Sequence, residues 1–580
     1  MANIAEFLTS LIEESGIKTI FYVPGGAIVH LISAFKKTSI NLVSCYSEQG
    51  AIIAAEGYSK LLGPYGVALV TSGPGLTNTA TGIASSWIDR SRVLLIAGYV
   101  QSHQIKNKKI RSFGPQEFCT KDLFELITQN NLLIDDEKKV PQIKEIIDEI
   151  SNPSINDGPS IIQICLDKQA TKINNQNIEA LEKKSSKIIL SNSEKKSLEI
   201  FYSEFEKILE KDLKIIFLLG GGCTKSENSK KLIEKLVNKN IFPIMTSWQS
   251  KDLVCHSSDS FIGLPGYFAN RAANTALSEC DILISLGCRL DLLQLGFMNN
   301  SIKSKIIAVD IDINELEKQE FESYLPIQVN LESVIKEILK ILEKKYNLFS
   351  LKKWKEDLRS YYLETYQEKT KEVFDKRINP YKVVDLLNNF YFDVYVAGSS
   401  GGCAEISFLN YFLKKPTRFL NMPGMGSMGF GLPTVAMVDS VLFDKKIIAV
   451  IGDGGLHMNI QELAMLSGSL RNHTYIIVFN NNGYDSIRRS QKSYLGKYYN
   501  SDEKTGLKLP NLSLLSKAYN VNYLEIKELY NLETFLGENS KKGVFILEIF
   551  ISENVPSGPK ITPKMLEDGS IVSGSLTDLQ

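Results

Sequence analysis

The sequence predicts an α/β protein of three domains, each a largely parallel sheet flanked by helices. Its 580 residues are too many for one hydrophobic core, and three domains is the natural expectation. Short apolar runs rich in β-branched residues alternate with helical patterns along the whole chain, as parallel α/β layers require. A hydrophobic content of 43% and a charged content of 23% are ordinary for a globular chain. The formal net charge of zero leaves no footprint for nucleic acid or an anionic membrane. No apolar stretch reaches the length of a membrane span. The N-terminus, MANIAEFLTSLIEESGI, is acidic and amphipathic, unlike a signal peptide. Eight cysteines are scattered without a CxxC pair, and five histidines without ligand spacing. Reduced thiols in a cytoplasmic protein without a zinc site are expected.

Taken in order, residues 1–170 form the first block, with strands expected at 19–23, 67–71, 93–97 and 161–165. The polar stretch 171–196 reads as a linker. The second block, 197–345, carries strands at 215–219, 282–286 and 306–309. A charged segment, 343–376, reads as a surface helix leading to the third block. That block, 377–555, has strands at 394–397, 447–451, 476–479 and 545–549. The tail, 556–580, contains Pro, Gly and Ser without periodicity; it is either disordered or a flap that orders over a site. The similar α/β character of the first and third blocks hints at an old duplication.

The richest stretch is 447–482, IIAVIGDGGLHMNIQELAMLSGSLRNHTYIIVFNNN. A strand ending in Gly452-Asp453-Gly454 delivers a carboxylate oxygen at a sheet edge, and the helical segment after it offers backbone N–H groups to an anion. A second strand returns the Asn481 amide oxygen to that edge, 28 positions after Asp453. Hard oxygens beside a phosphate-friendly helix start suit Mg²⁺ shared with a diphosphate. In the first block Glu48 opens a small-residue helix. It is either an ordinary first-turn glutamate favoured by the helix dipole or a carboxylate poised for proton chemistry. The loops Pro24-Gly25-Gly26 and Ser72-Gly73-Pro74-Gly75 follow strands and allow close backbone approach to a ligand, or are tight turns. Gly220-Gly221-Gly222 follows the apolar run at 215–219 but does not match a dinucleotide fingerprint.

The segments SEQGAIIAAEGYSK, VTSGPGLTNTATGIASSW, NMPGMGSMGFGLP, IGDGGLHMNIQEL and FNNNGYDSIR follow one another as in acetolactate synthase-like enzymes that use thiamine diphosphate (ThDP). The chain resembles that family over essentially its whole length. The resemblance implies ThDP and Mg²⁺ as cofactors. It makes Glu48 the carboxylate that binds the aminopyrimidine, and Asp453, Asn481 and the backbone oxygen of Gly483 the metal ligands. Met428 becomes the wedge beneath the bent cofactor and Gly426 a carbonyl partner of its pyrimidine. Gly452, Gly454, Gly455, Ser399 and Asn78 fall around the cofactor, and Gly25 and Gln116 near the reaction centre. The central domain of this family holds FAD, implied here in a structural role at Gly221, Arg289 and Asp310. The family also implies a homo-oligomer whose sites take Glu48 from one chain and Asp453 from another.

Several positions depart from the acetolactate synthase pattern. Ser47 stands where a histidine is common, Ser490 where a tryptophan shapes the acceptor pocket, and 164–167 where a Pro-Lys pair lies. Losing an aromatic wall and a cation favours a larger, less acidic acceptor. The segments SWQSKDL, GLPGYFANRAAN, NNNGYDSIRRSQ and PKMLEDGSIVSGSLTDL resemble homologues associated with surface-polysaccharide biosynthesis. The expected reaction is decarboxylation of pyruvate and transfer of its two-carbon unit to a carbonyl acceptor, with a nucleotide-linked keto sugar leading. Acetolactate formation from two 2-keto acids is the first alternative. A simple decarboxylase, a flavin-linked pyruvate oxidase and a non-catalytic cofactor-binding protein are the others.

Overall fold

Three six-stranded sheets, all parallel, dominate the architecture. The computed structural model describes residues 2–105, 111–118, 121–152, 158–173, 191–296, 302–318, 321–372, 376–414, 416–553, 555, 557–565 and 571–580. The first sheet contains β1 (Thr19–Tyr22), β2 (Asn41–Ser44), β3 (Gly66–Val70), β4 (Val93–Tyr99), β5 (Asn130–Ile134) and β6 (Ser160–Cys165). The second contains β7 (Ile215–Leu219), β8 (Ile244–Thr246), β9 (Phe261–Gly263), β10 (Ile282–Leu286), β11 (Lys305–Asp310) and β12 (Tyr324–Gln328). The third contains β13 (Val394–Ala397), β14 (Arg418–Leu420), β15 (Lys446–Gly452), β16 (His473–Asn480), β17 (Asn522–Ile526) and β18 (Gly543–Phe550).

The strand orders are β2-β1-β3-β4-β6-β5, β12-β11-β10-β7-β8-β9 and β14-β13-β15-β16-β18-β17. The first and third sheets therefore share one topology, while the second has the doubly wound dinucleotide-fold order. The chain switches its direction of travel between β1 and β3 in the first sheet, between β7 and β10 in the second and between β13 and β15 in the third. Ligands of open parallel sheets bind beyond the strand C-termini at such a switch.

The third sheet lies between the other two domains. Side chains alternate across a strand. Tyr475, Ile477 and Phe479 of β16 join the core that contains the second sheet, and Ile476 and Val478 join the core that contains the first. All three domains also meet at one buried carboxylate. Asp89, 2% exposed, accepts from Lys60 Nζ (2.6 Å) in the first domain, Gln249 Nε2 (2.6 Å) in the second and Gly424 N (3.0 Å) in the third.

Three expectations need correction or qualification. The expected linker 171–196 lies largely outside the described residues, and its end is already helical: Ser191 caps a helix over Asn192–Leu209. The 343–376 segment does contain a helix, Phe349–Thr365, but not a purely surface one. Leu351, Trp354, Leu358 and Tyr362 form a buried stripe at helical spacing. Lys355 and Arg359 are buried with it, donating to the carbonyls of Asn240 (2.6 Å) and Phe261 (2.8 Å). Long basic side chains bury their stems, so charged composition concealed the stripe. The described part of the tail is structured. It forms an antiparallel pair, β19 (Pro563–Met565) and β20 (Ile571–Ser573). It also packs on the second domain, where Ile561 N donates to Tyr267 O (2.8 Å) and Asn274 Nδ2 to Leu576 O (2.8 Å). Among the described residues no helix is long and apolar enough to cross a membrane.

Candidate active site

Two half-sites lie at the C-terminal edges of the first and third sheets. The first is built around the segment after β3. A Cβ on Gly25 would lie 2.4 Å from Thr71 Cβ, so only glycine lets the loop after β1 close on the end of β3. Ser72 Oγ donates to Gln116 Oε1 (3.3 Å), and Gln116 is a non-glycine residue at φ +64°. Asn78 Nδ2 donates to Glu48 Oε2 (3.0 Å). Glu48 is the first residue of the helix Glu48–Leu61, whose start is capped by Ser47 Oγ accepting from Gly50 N (2.9 Å). Gly25, Glu48, Asn78 and Gln116 thus gather at the β1–β3 switch point.

The second half-site is a cavity of about 350 Å³ beyond β13, β15 and β16. It is lined by Ser399, Gly426, Met428, Gly452, Asp453, Gly454, Gly455, Asn481 and Gly483, all nine picked out in the sequence. Asp453 is buried, which pushes its carboxyl up to about 6; N–H donation from Gly454 (2.8 Å) and Gly483 (3.0 Å) opposes that rise. Asn481 Oδ1 accepts from the buried Arg488 guanidinium (3.0 Å), leaving a second lone pair. The carboxylate, amide and carbonyl oxygens here are the donor set Mg²⁺ takes. Ser399 Oγ is buried without a hydrogen-bond partner in the cavity wall, as a site awaiting a ligand's polar atoms would leave it. Glycine is required at 454, where a Cβ would lie 2.4 Å from the Tyr484 ring. None of Gly25, Glu48, Asn78 and Gln116 lines this cavity.

The sequence reading missed other cavity residues: Ser400, Gly401, Gly402, Tyr484, Asp485, Ser486, Val555 and Ser557. The glycine-dense GSSGG run after β13 carried the same signal as the loops noted in the first block. The last two belong to the region after β18, which no motif marks.

A third cleft, of about 100 Å³, lies at the switch point of the second sheet and brings together Gly221, Arg289 and Asp310. Arg289 donates to Ile88 O of the first domain (2.8 Å) and pairs with Asp291 (3.3 Å). Burial lifts the Asp310 carboxyl to about 6. The cleft is smaller than the ~300 Å³ at which small-molecule pockets begin, so as it stands it suits a fragment the size of a phosphate or ribose.

Three family models match the chain in order. Residues 2–124 match the thiamine pyrophosphate enzyme N-terminal TPP binding domain, 203–338 the central domain, and 400–549 the C-terminal TPP binding domain. The chain belongs to the thiamine pyrophosphate enzymes. Each half-site falls in one of the matched TPP binding domains, or directly beside it. Among curated relatives of this thiamine pyrophosphate enzyme is a probable acetolactate synthase large subunit of Methanococcus aeolicus. It is 27% identical over 581 residues, covering 97% of this chain and 94% of the relative. The acetolactate synthase large subunit of Porphyra purpurea is 27% identical, covering 96% and 93%. That of Lactococcus lactis subsp. lactis is 26% identical, covering 99% and 96%. The protein is a thiamine pyrophosphate enzyme similar over nearly its whole length to acetolactate synthase large subunits.

Proposed function

We propose that the enzyme decarboxylates pyruvate and transfers the two-carbon unit to the ketone of a bulky acceptor, with a nucleotide-linked keto sugar leading. Bound ThDP supplies a nucleophilic carbon and an electron sink for the decarboxylation. In this reading Glu48, held by Asn78, hydrogen-bonds the aminopyrimidine and keeps a proton on the ring nitrogen. Asp453, Asn481 and the Gly483 carbonyl hold Mg²⁺, and Ser399 and the Gly452–Gly455 backbone hold the diphosphate. Met428 would be the wedge beneath the cofactor, and the Gly426 carbonyl would accept from its aminopyrimidine. Gln116 orients the substrate carbonyl, and Gly25 gives the backbone access beside it.

The acceptor reading is carried by the cavity wall. Beside the part that would take the diphosphate, Ser400, Gly401 and Gly402 line it together with Asp485 and Ser486. Small and polar residues leave room for a hydroxylated molecule. Ser490 is exposed, with its hydroxyl turned back to Ser486 O (3.1 Å), and closes nothing. At the other departure, Asp167 is an acid that accepts from Ser102 N (2.7 Å) and Oγ (2.6 Å), and the cation next to it, Lys168, is paired with Glu137 (2.9 Å).

A homo-oligomer completes this scheme, with Glu48 of one copy facing the cavity of another. Tyr46 beside Glu48 is 57% exposed, and Met425, Met428 and Met458 near the cavity are 39%, 37% and 45% exposed, apolar surface suited to burial by a second copy. FAD at Gly221, Arg289 and Asp310 is a secondary proposal, since the cleft must widen to accept it. Acetolactate formation remains the second reading, favoured by the names of the relatives.

The test is product analysis by mass spectrometry with ThDP, Mg²⁺, ¹³C-pyruvate and a panel of nucleotide-linked 4-keto sugars. A labelled two-carbon adduct on a sugar is expected; efficient acetolactate with the sugars untouched would select the second reading. Glu48→Gln should lower kcat by about 10²–10⁴-fold, the usual worth of a proton-transfer group.

A further inference from the structure

We propose that Glu462 is a positioning residue for Glu48, acting through Ser47 across the contact between the third and first domains of one chain. The proposal rests on Glu48 being the cofactor's carboxylate. Glu462 sits in the turn Ile460–Leu466 of the third domain and is 0% exposed. Its Oε1 accepts from Ser47 Oγ (2.8 Å) and its Oε2 from Tyr46 N (3.2 Å), so one carboxylate grips both residues before Glu48. Gln461 Nε2 donates to Ser47 Oγ (3.1 Å), and that same oxygen accepts from Gly50 N. The Ser47 hydroxyl therefore donates once and accepts twice, which exhausts its capacity. A serine so engaged has one orientation, and the helix start it caps has one direction.

The surroundings fit a carboxylate at this place. It lies at a helix N-terminus, where the dipole favours negative charge. Burial raises the Glu462 carboxyl, and donation from Ser47 and Tyr46 opposes the rise. The buried Cys45 thiol faces it and is itself raised by burial and by the Glu462 charge. Gly50 is fitted to the clamp, since a Cβ there would lie 2.2 Å from Glu462 Oε1. The network continues toward the cofactor cavity. Gln461 Nε2 also donates to Asn459 Oδ1 (3.1 Å), and Asn459 Nδ2 to Gly429 O (2.9 Å), next to Met428. Glu48 is thus held from two sides, by Asn78 at its carboxylate and by Glu462 through its helix cap.

The experiment compares Glu462→Gln, Ser47→Ala, Ser47→Thr and Glu48→Gln in the full-length protein with ThDP, Mg²⁺ and pyruvate. Readouts are kcat, KM for pyruvate, the pH profile of kcat, and near-ultraviolet circular dichroism of the bound cofactor. Glu462→Gln should lower kcat by about 10–10²-fold at unchanged KM, as misplacement of a reacting group does, with a shifted pH profile and an altered cofactor band. Ser47→Ala should do the same and Ser47→Thr should restore kcat to within about threefold, since threonine keeps the donor and the cap. A wild-type kcat, pH profile and cofactor band in Glu462→Gln would overturn the proposal. Should that variant not fold, equal kcat in Ser47→Ala and Ser47→Thr would overturn it instead. Wild-type turnover in Glu48→Gln would remove the reading beneath it, a separate result.

Discussion

Asp310 shows how a single buried acid governs pH dependence. Its carboxyl is raised from the ordinary 3.8 to about 6, chiefly by burial, against a backbone hydrogen bond from Asp312 N (3.0 Å). The folded state holds this proton more tightly than the unfolded chain, so stability falls as pH rises between about 4 and about 6. Asp310→Asn should leave the thermal midpoint unchanged below pH 4 and raise it above pH 6; a midpoint lowered at pH 7 would contradict this. Asp453 and Asn481 were legible in the sequence because strand-end motifs carry them to one edge. Glu462 was not, because its partner Ser47 lies 415 positions away and only the packing of two domains brings them together.

The helix Glu48–Leu61 is the element on which the first half-site depends. Small residues at Gly50, Ala51, Ala54, Ala55 and Gly57 let it pack closely between the first sheet and the third-domain helix Gly431–Val441. A Cβ on Gly57 would lie 2.7 Å from Met437 Cε, and one on Gly66 of β3 only 1.8 Å from Ala55 O. A methionine tip can move and a helix carbonyl cannot. Gly66→Ala should therefore cost at least the ~1–3 kcal/mol of an overpacked core, read as a lowered denaturation midpoint, whereas Gly57→Ala should be milder. All eleven strands expected from apolar runs are present. Those missed are mostly edge strands. β2 and β5 border the first sheet, β9 and β12 the second, and β14 and β17 the third. Edge strands face solvent, so polar residues such as Asn41, Asn130 and Asn522 interrupt the pattern that marks interior strands.

Across the whole molecule, the third sheet is central and the other domains share its two faces. The common strand order of the first and third sheets accords with the duplication suspected from their sequences, although the sequence could not show topology. The tail ties the third domain to the second, with Val555 and Ser557 in the cavity wall and Ile561, Leu576 and Leu579 in the second domain's core. The Asp89 junction has a thermodynamic consequence. Asp89 and its charge partner Lys60 both belong to the first domain, so opening the second or third domain keeps the ion pair and removes one hydrogen bond from a buried carboxylate. A hydrogen bond to a charged group contributes about 1.5–3 kcal/mol, a penalty that discourages partial opening. Scanning calorimetry should give one heat-absorption peak, its calorimetric and van't Hoff enthalpies in agreement, and Asp89→Ala should lower its midpoint. Cooperativity in this chain would then rest on apolar cores that each run across two domains, with one buried anion fastening all three.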